Sequence, residues 1–183
     1  MNGRDRECRT HRTAAARETV PKGVVCLNRV GIWERGNGVF DGVKRVLERR
    51  EDSTVLLRGS HPADFREGKL DLLCIAPSAQ GWAGAGAIDC RMLLLPGGLG
   101  PLARGLRCAC AVSYGTSPKD TLTFSSLEGD QMCVALQREL VTLPGGVVEQ
   151  QEWVLPFPVG SDPMDYLAAV GVLLILGLPP EPA

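Results

Sequence analysis

Three stretches of this sequence are apolar almost without interruption: KLDLLCIAPSA at 69–79, AIDCRMLLLPGG at 87–98 and RCACAVSY at 107–114. A strand with one face in water alternates polar and apolar residues, so runs of this kind suit strands covered on both faces, as in a parallel sheet. They predict a buried sheet, and the rest of the chain has to supply its layers.

The neighbouring segments supply them. GVVCLNRVGIW (23–33) is rich in β-branched residues and reads as a first strand, with Asn28 as a possible break in it. In GNGVFDGVKRVLERRED, Val39, Val43, Val46 and Leu47 recur at helical spacing, which predicts a helix near 39–50. STVLLRG is a second strand, QGWAGAGA is too glycine-rich for a stable helix, and PLARGL (101–106) has room for one helical turn. TLTFSSLEGDQMCVALQREL (121–140) alternates and carries Glu-Gly-Asp at its middle, the mark of a hairpin. After the extended VVEQQEWVLPFP comes SDPMDYLAAVGVLLILG, framed as a helix by a Ser161 or Asp162 cap, Pro163 in the first turn and a Gly177 stop. The expected fold is α/β: a single-domain sandwich over 22–178 with a mostly parallel, mixed sheet, a hairpin in the distal half and a packed final helix. Residues 1–21 are expected to form a disordered basic arm and 179–183 a disordered tail.

At 183 residues the chain suits one domain, and its formal net charge of −1 calls for neither a nucleic acid nor a membrane as partner. The apolar run of the final helix falls short of the ~20 residues that cross a bilayer, and no secretory leader is recognisable, so the expected location is cytoplasmic. The seven cysteines form no Cys-x-x-Cys pair and lie mostly inside apolar runs, and there are only two histidines. Buried thiols acting as small hydrophobes explain that placement, and no metal site is expected.

Candidate ligand residues lie where strands end. Gly36 and Gly38 stand between a strand and a helix, but with Gly42 the spacing is G-x-G-x-x-x-G, one residue longer than the dinucleotide fingerprint. Arg58, Ser60 and His61 follow the second strand, and no phosphate loop of the form G-x-x-x-x-G-K-[ST] occurs. After the strand at 107–114 comes SYGTSPKDT, where Tyr114, Gly115, Thr116, Ser117 and Lys119 could border an anionic group. Ser117-Pro118-Lys119-Asp120 equally suits a plain turn with proline at its second position. If the strand ends converge, these residues would share one cleft for a small anionic ligand.

The distal half, from MLLLPGGLGPLARGLRCACAVSYG through the hairpin to LPFPVGSDPMDYLAAVGVLLILGL, resembles the later part of the central domain of the Mur ligase family. The resemblance implies an α/β sheet of related layout. It does not imply an ATP-dependent ligase, because Pro96, Gly97 and Gly98 replace the nucleotide-contacting pair and Asp165-Tyr166 stands in place of the family's His-Asn. With no acid, base and nucleophile set in view, the expected function is a non-catalytic binding or interaction module. The alternative is a small-molecule enzyme or a nucleotide- or phosphate-binding protein using a cleft at the strand ends. No cofactor is required beyond such a phosphate-bearing ligand, and the final helix, 163–177, could also serve a homodimer.

Overall fold

The computed structural model describes residues 27–81, 88–103 and 105–182. The expected arm at 1–21 lies outside these residues.

The first strand, β1 (Arg29–Trp33), leads through a glycine turn into helix α1 (Gly38–Arg49), which returns to β2 (Val55–Gly59). A 3-10 turn (Pro62–Phe65) precedes β3 (Leu70–Ile75), β4 (Asp89–Pro96), the short helix α2 (Gly100–Ala103) and β5 (Arg107–Gly115). The hairpin is β6 (Leu122–Glu128) and β7 (Gln131–Leu136); β8 (Leu140–Val141), β9 (Val147–Val148) and β10 (Gln151–Pro156) follow, and α3 (Pro163–Ile175) closes the chain. One sheet has the order β10-β7-β6-β5-β4-β3-β1-β2, and β8 and β9 form a second, two-stranded one. From β2 to β6 all neighbours are parallel, whereas β6-β7 and β7-β10 are antiparallel. This is the expected α/β fold with its mixed sheet and hairpin.

The continuous apolar runs are explained by the two layers. Leu72, Cys74, Met92 and Leu94 pack with α1 and α3 in one buried cluster, while Leu73, Ile75, Leu93 and Leu95 join Trp33 and Phe65 in another. Helix α3 is capped as expected by Asp162, whose Oδ1 accepts from Met164 N at 2.8 Å and Asp165 N at 3.0 Å. It ends at Gly177, which takes a φ of +76°, the left-handed conformation that favours glycine. Its apolar surface is spent inside the chain, on the sheet and on α1, so the homodimer expected through 163–177 loses its basis.

Two further expectations need revision. The strand at 107–114 is not buried throughout: Arg107 to Ala111 are all exposed, including Cys108 and Cys110. The stretch at 179–182 follows α3 back to α1, and Pro182 is buried there beside Gly42, where a loose tail was expected. Among the described residues, no helix is long and apolar enough to cross a membrane.

Candidate functional site

The reversal point of the parallel sheet lies between β1 and β3, because the chain leaves β1 towards β2 on one side and later adds β3 on the other. In open α/β sheets ligands gather just beyond the carboxyl ends of the strands at such a point, with an anion at the helix N-terminus. Here the position is taken by Glu34, the residue directly after β1. Its side chain is 1% exposed, and Oε2 accepts from Val39 N in the first turn of α1 at 3.2 Å. Asn37, at the N-cap, makes no side-chain capping bond. A carboxylate five residues upstream in sequence does the capping instead.

Arg58 joins this arrangement from β2. Its Nη2 donates to the Gly36 carbonyl at 2.8 Å, and its Nε stands 3.6 Å from Glu34 Oε1. Asp165, in the first turn of α3, lies so close to Gly38 that any β-carbon there would collide with its carboxylate. Burial pushes Glu34 up from 4.5 to about 7, with the Asp165 charge adding to the rise and the Val39 N–H and Arg58 opposing it. Asp165 is also raised, first by burial and then by Asp162. The expected anion position is thus occupied by the chain's own acid and overlooked by a second one. A cavity of about 300 Å³ opens beside it between α1 and α3, with Asp41, Arg45, Asp162 and Asp165 in its wall. Glu34 is not part of that wall.

Ser60 and His61 have local tasks. Both backbone N–H groups donate to Asp64 Oδ2, at 2.9 and 3.0 Å, and His61 Nδ1 accepts from Ala63 N at 3.2 Å, so together they cap the 3-10 turn.

At the end of β5 a buried carboxylate again sits at the centre. Asp120 is 5% exposed, and its Oδ2 accepts from Ser117 N at 3.3 Å. A β-carbon on Gly97 or Gly115 would run into this carboxylate, so both strand ends must carry glycine for it to fit. Asp120 N closes the turn on the Ser117 carbonyl at 2.9 Å, and the Lys119 carbonyl accepts from Arg138 Nη2 at 2.6 Å. Tyr114 is fully buried, and its hydroxyl donates to the Ile75 carbonyl at 2.8 Å. Thr116, Ser117 and Lys119 line a cavity of about 450 Å³ with Gly97, Gly98 and Met164.

Gly36, Gly38 and Arg58 therefore meet around Glu34, and Gly115, Thr116, Ser117 and Lys119 meet around Asp120. The two groups do not share the expected cleft. Strands β3 and β4 separate β1 from β5, a gap of ~14 Å at ~4.8 Å per step. The first turn of α3 stands between them, with Met164 in the wall of one cavity and Asp165 in that of the other.

No family model matches the chain, and neither a curated protein nor a solved structure matches it. Among the described residues, no group of three or more His, Cys, Asp or Glu side chains could hold a metal ion.

Proposed function

We propose that this protein works as a binding or interaction module without chemistry of its own, and that it does not use a nucleotide or another phosphate-bearing ligand. The observation that carries the reading is the Glu34 carboxylate seated on the first turn of α1. A phosphate entering there would have to displace a buried, hydrogen-bonded group and then face Asp165, when a helix N-terminus favours an anion by only ~0.3–2 kcal/mol. Asp120 plays the same part between Gly97 and Gly115. The likeness of the distal half to the Mur ligase central domain is on this reading one of layout, and Glu34 is what stands where a phosphate loop would act.

A value of about 7 would suit Glu34 for general-base work, but such a base must reach the proton it removes. Glu34 is sealed under α1 beside Arg58, which supports a structural role. A cytoplasmic location fits the free thiols at Cys74, Cys90, Cys108, Cys110 and Cys133.

Calorimetric titration and thermal melts with ATP, ADP, NADP and inorganic phosphate test the reading. The expected result is no heat of binding and no shift in melting temperature at millimolar ligand. A ligand present at ~100 times its Kd would stabilise the fold by ~2.7 kcal/mol. A melting shift of that order, lost in Lys119→Ala or Arg58→Ala, would overturn the proposal.

A further inference from the structure

Strands β4 and β5 set two cysteines side by side. Asp89 stands opposite Arg107, Cys90 opposite Cys108 and Met92 opposite Cys110, and Arg107 N donates to the Ile88 carbonyl at 3.3 Å, which fixes the ladder at this end. Register partners on neighbouring strands lie ~4.8 Å apart and share a face of the sheet, and a disulfide spans Cα atoms ~4.4–6.8 Å apart. The two thiols differ in access. Cys90 is 2% exposed, in the cluster of Leu70, Ile88 and Leu93, whereas Cys108 is exposed. Burial first, and then the Cys108 thiol, raise Cys90 to about 12, as expected where a second sulfur stands close enough for its charge to be felt.

The other described cysteines offer Cys108 no better partner. Cys110 is two residues along the same extended strand, ~6.6 Å away at ~3.3 Å per residue, at the limit of what a disulfide spans. Cys74 stands four residues beyond Leu70, the β3 residue opposite Cys90, which is ~13 Å along the strand. Cys133 lies on β7, with β6 between it and β5.

We infer that Cys90 and Cys108 are a dithiol that a low-molecular-weight disulfide oxidises to an internal bond between β4 and β5, with Cys108 reacting first and Cys90 completing the bond. Access sets this order. With glutathione disulfide as the oxidant, the Cys108 thiolate attacks one of its sulfurs and a first glutathione leaves as thiolate, so Cys108 carries a mixed disulfide. The Cys90 sulfur then attacks the Cys108 sulfur, and the second glutathione leaves with the bonding electron pair and takes up the Cys90 proton. Two protein thiols become one S–S bond while one glutathione disulfide becomes two glutathiones, and excess glutathione drives both steps backwards. Among the described residues, β6 pairs with β5 at Tyr114 and Gly115 alone; the bond fastens to β4 a stretch of β5 that β6 does not reach.

The test uses the full chain with Cys8, Cys26 and Cys133 changed to serine. Burial and the neighbouring Cys110 thiol hold Cys108 above its ordinary value, so glutathione disulfide is added at about pH 8.5 to supply thiolate. Intact mass is expected to fall by two hydrogens, and cleavage after Lys and Arg and before Asp should release Asp89–Arg91 joined to the peptide 108–119. Cys110→Ser should leave this product in place and Cys108→Ser should remove it. In Cys90→Ala the mixed disulfide has no neighbour to resolve it, so Cys108 should hold about tenfold more bound glutathione than in the chain that keeps Cys90, where the effective concentration of the second thiol is high. Oxidation in concentrated urea should scatter the bond over the remaining cysteines. A Cys108–Cys110 bond as the main product, no internal bond in the folded chain, the urea mixture in the folded chain, or equal glutathione on Cys108 with and without Cys90 would each overturn the inference.

Discussion

Glu34 and Asp120 are buried acids held by main-chain N–H groups: Glu34 accepts from Val39 N, and Asp120 accepts from Ser117 N with Gly97 and Gly115 making room for it. For Glu34 the arrangement has a consequence in pH. Its ordinary value of 4.5 applies to the unfolded chain, and burial raises it to about 7 in the fold. Between these values the folded chain binds a proton that the unfolded chain has released, so stability is full below pH 4.5, falls as pH rises and is lost through pH 7. The span corresponds to a loss on the order of 3 kcal/mol. Glu34→Gln keeps an oxygen to accept from Val39 N and removes the titration. Urea denaturation at pH 4.5 and pH 8 is therefore expected to show the variant gaining on the native protein by about that amount at the higher pH. Equal differences at both pH values would mean that Glu34 is not buried and protonated as described. Neither acid was legible in the sequence. Glu34 looks like the first polar residue after a strand, and Asp120 like the last residue of a proline turn; what distinguishes them is proximity to α1 and to Gly97, which only folding creates.

The elements themselves were largely readable, because their signals are local. Val39, Val43, Val46 and Leu47 mark α1 by spacing, Glu128-Gly129-Asp130 marks the hairpin turn, and Asp162, Pro163 and Gly177 bracket α3. β5 shows the limit. Its Cys-Ala-Cys-Ala run has the composition of a buried strand, yet β6 overlaps only its last two residues, and stagger between strands leaves no trace in either strand's own pattern. For α3 the pattern was sufficient, since its apolar residues surround the helix and burial on all sides is the consequence. Leu174 is 3% exposed among core neighbours. Leu174→Asp is expected to cost several kcal/mol, as an unpaired charge in a core does. Chemical denaturation would measure it, and a midpoint unchanged from the native protein would contradict the burial of this helix.

At the scale of the whole molecule, the eight-stranded sheet is two blocks joined by a narrow seam. The parallel block, β2 to β5, shares long ladders, and so does the antiparallel block, β6, β7 and β10, but between them lie only the pairs Tyr114↔Leu122 and Gly115↔Thr123. What spans the seam is α3, which packs on β3, β4, β5 and β6 together. Gly171 lets it approach: a β-carbon there would press on Leu94 of one block and Leu122 of the other. Regions of a fold open with free energies set by their own contacts, so the antiparallel block should open before the parallel one. Native-state hydrogen exchange is expected to give lower opening free energies for ladder amides of β6, β7 and β10 than for those of β1, β3 and β4. Leu122→Ala removes a buried side chain at the seam, a change that typically costs ~2–5 kcal/mol. It should lower protection throughout the antiparallel block more than in the parallel block. The same loss in both blocks would show that the sheet opens as one unit and that the seam does not divide it.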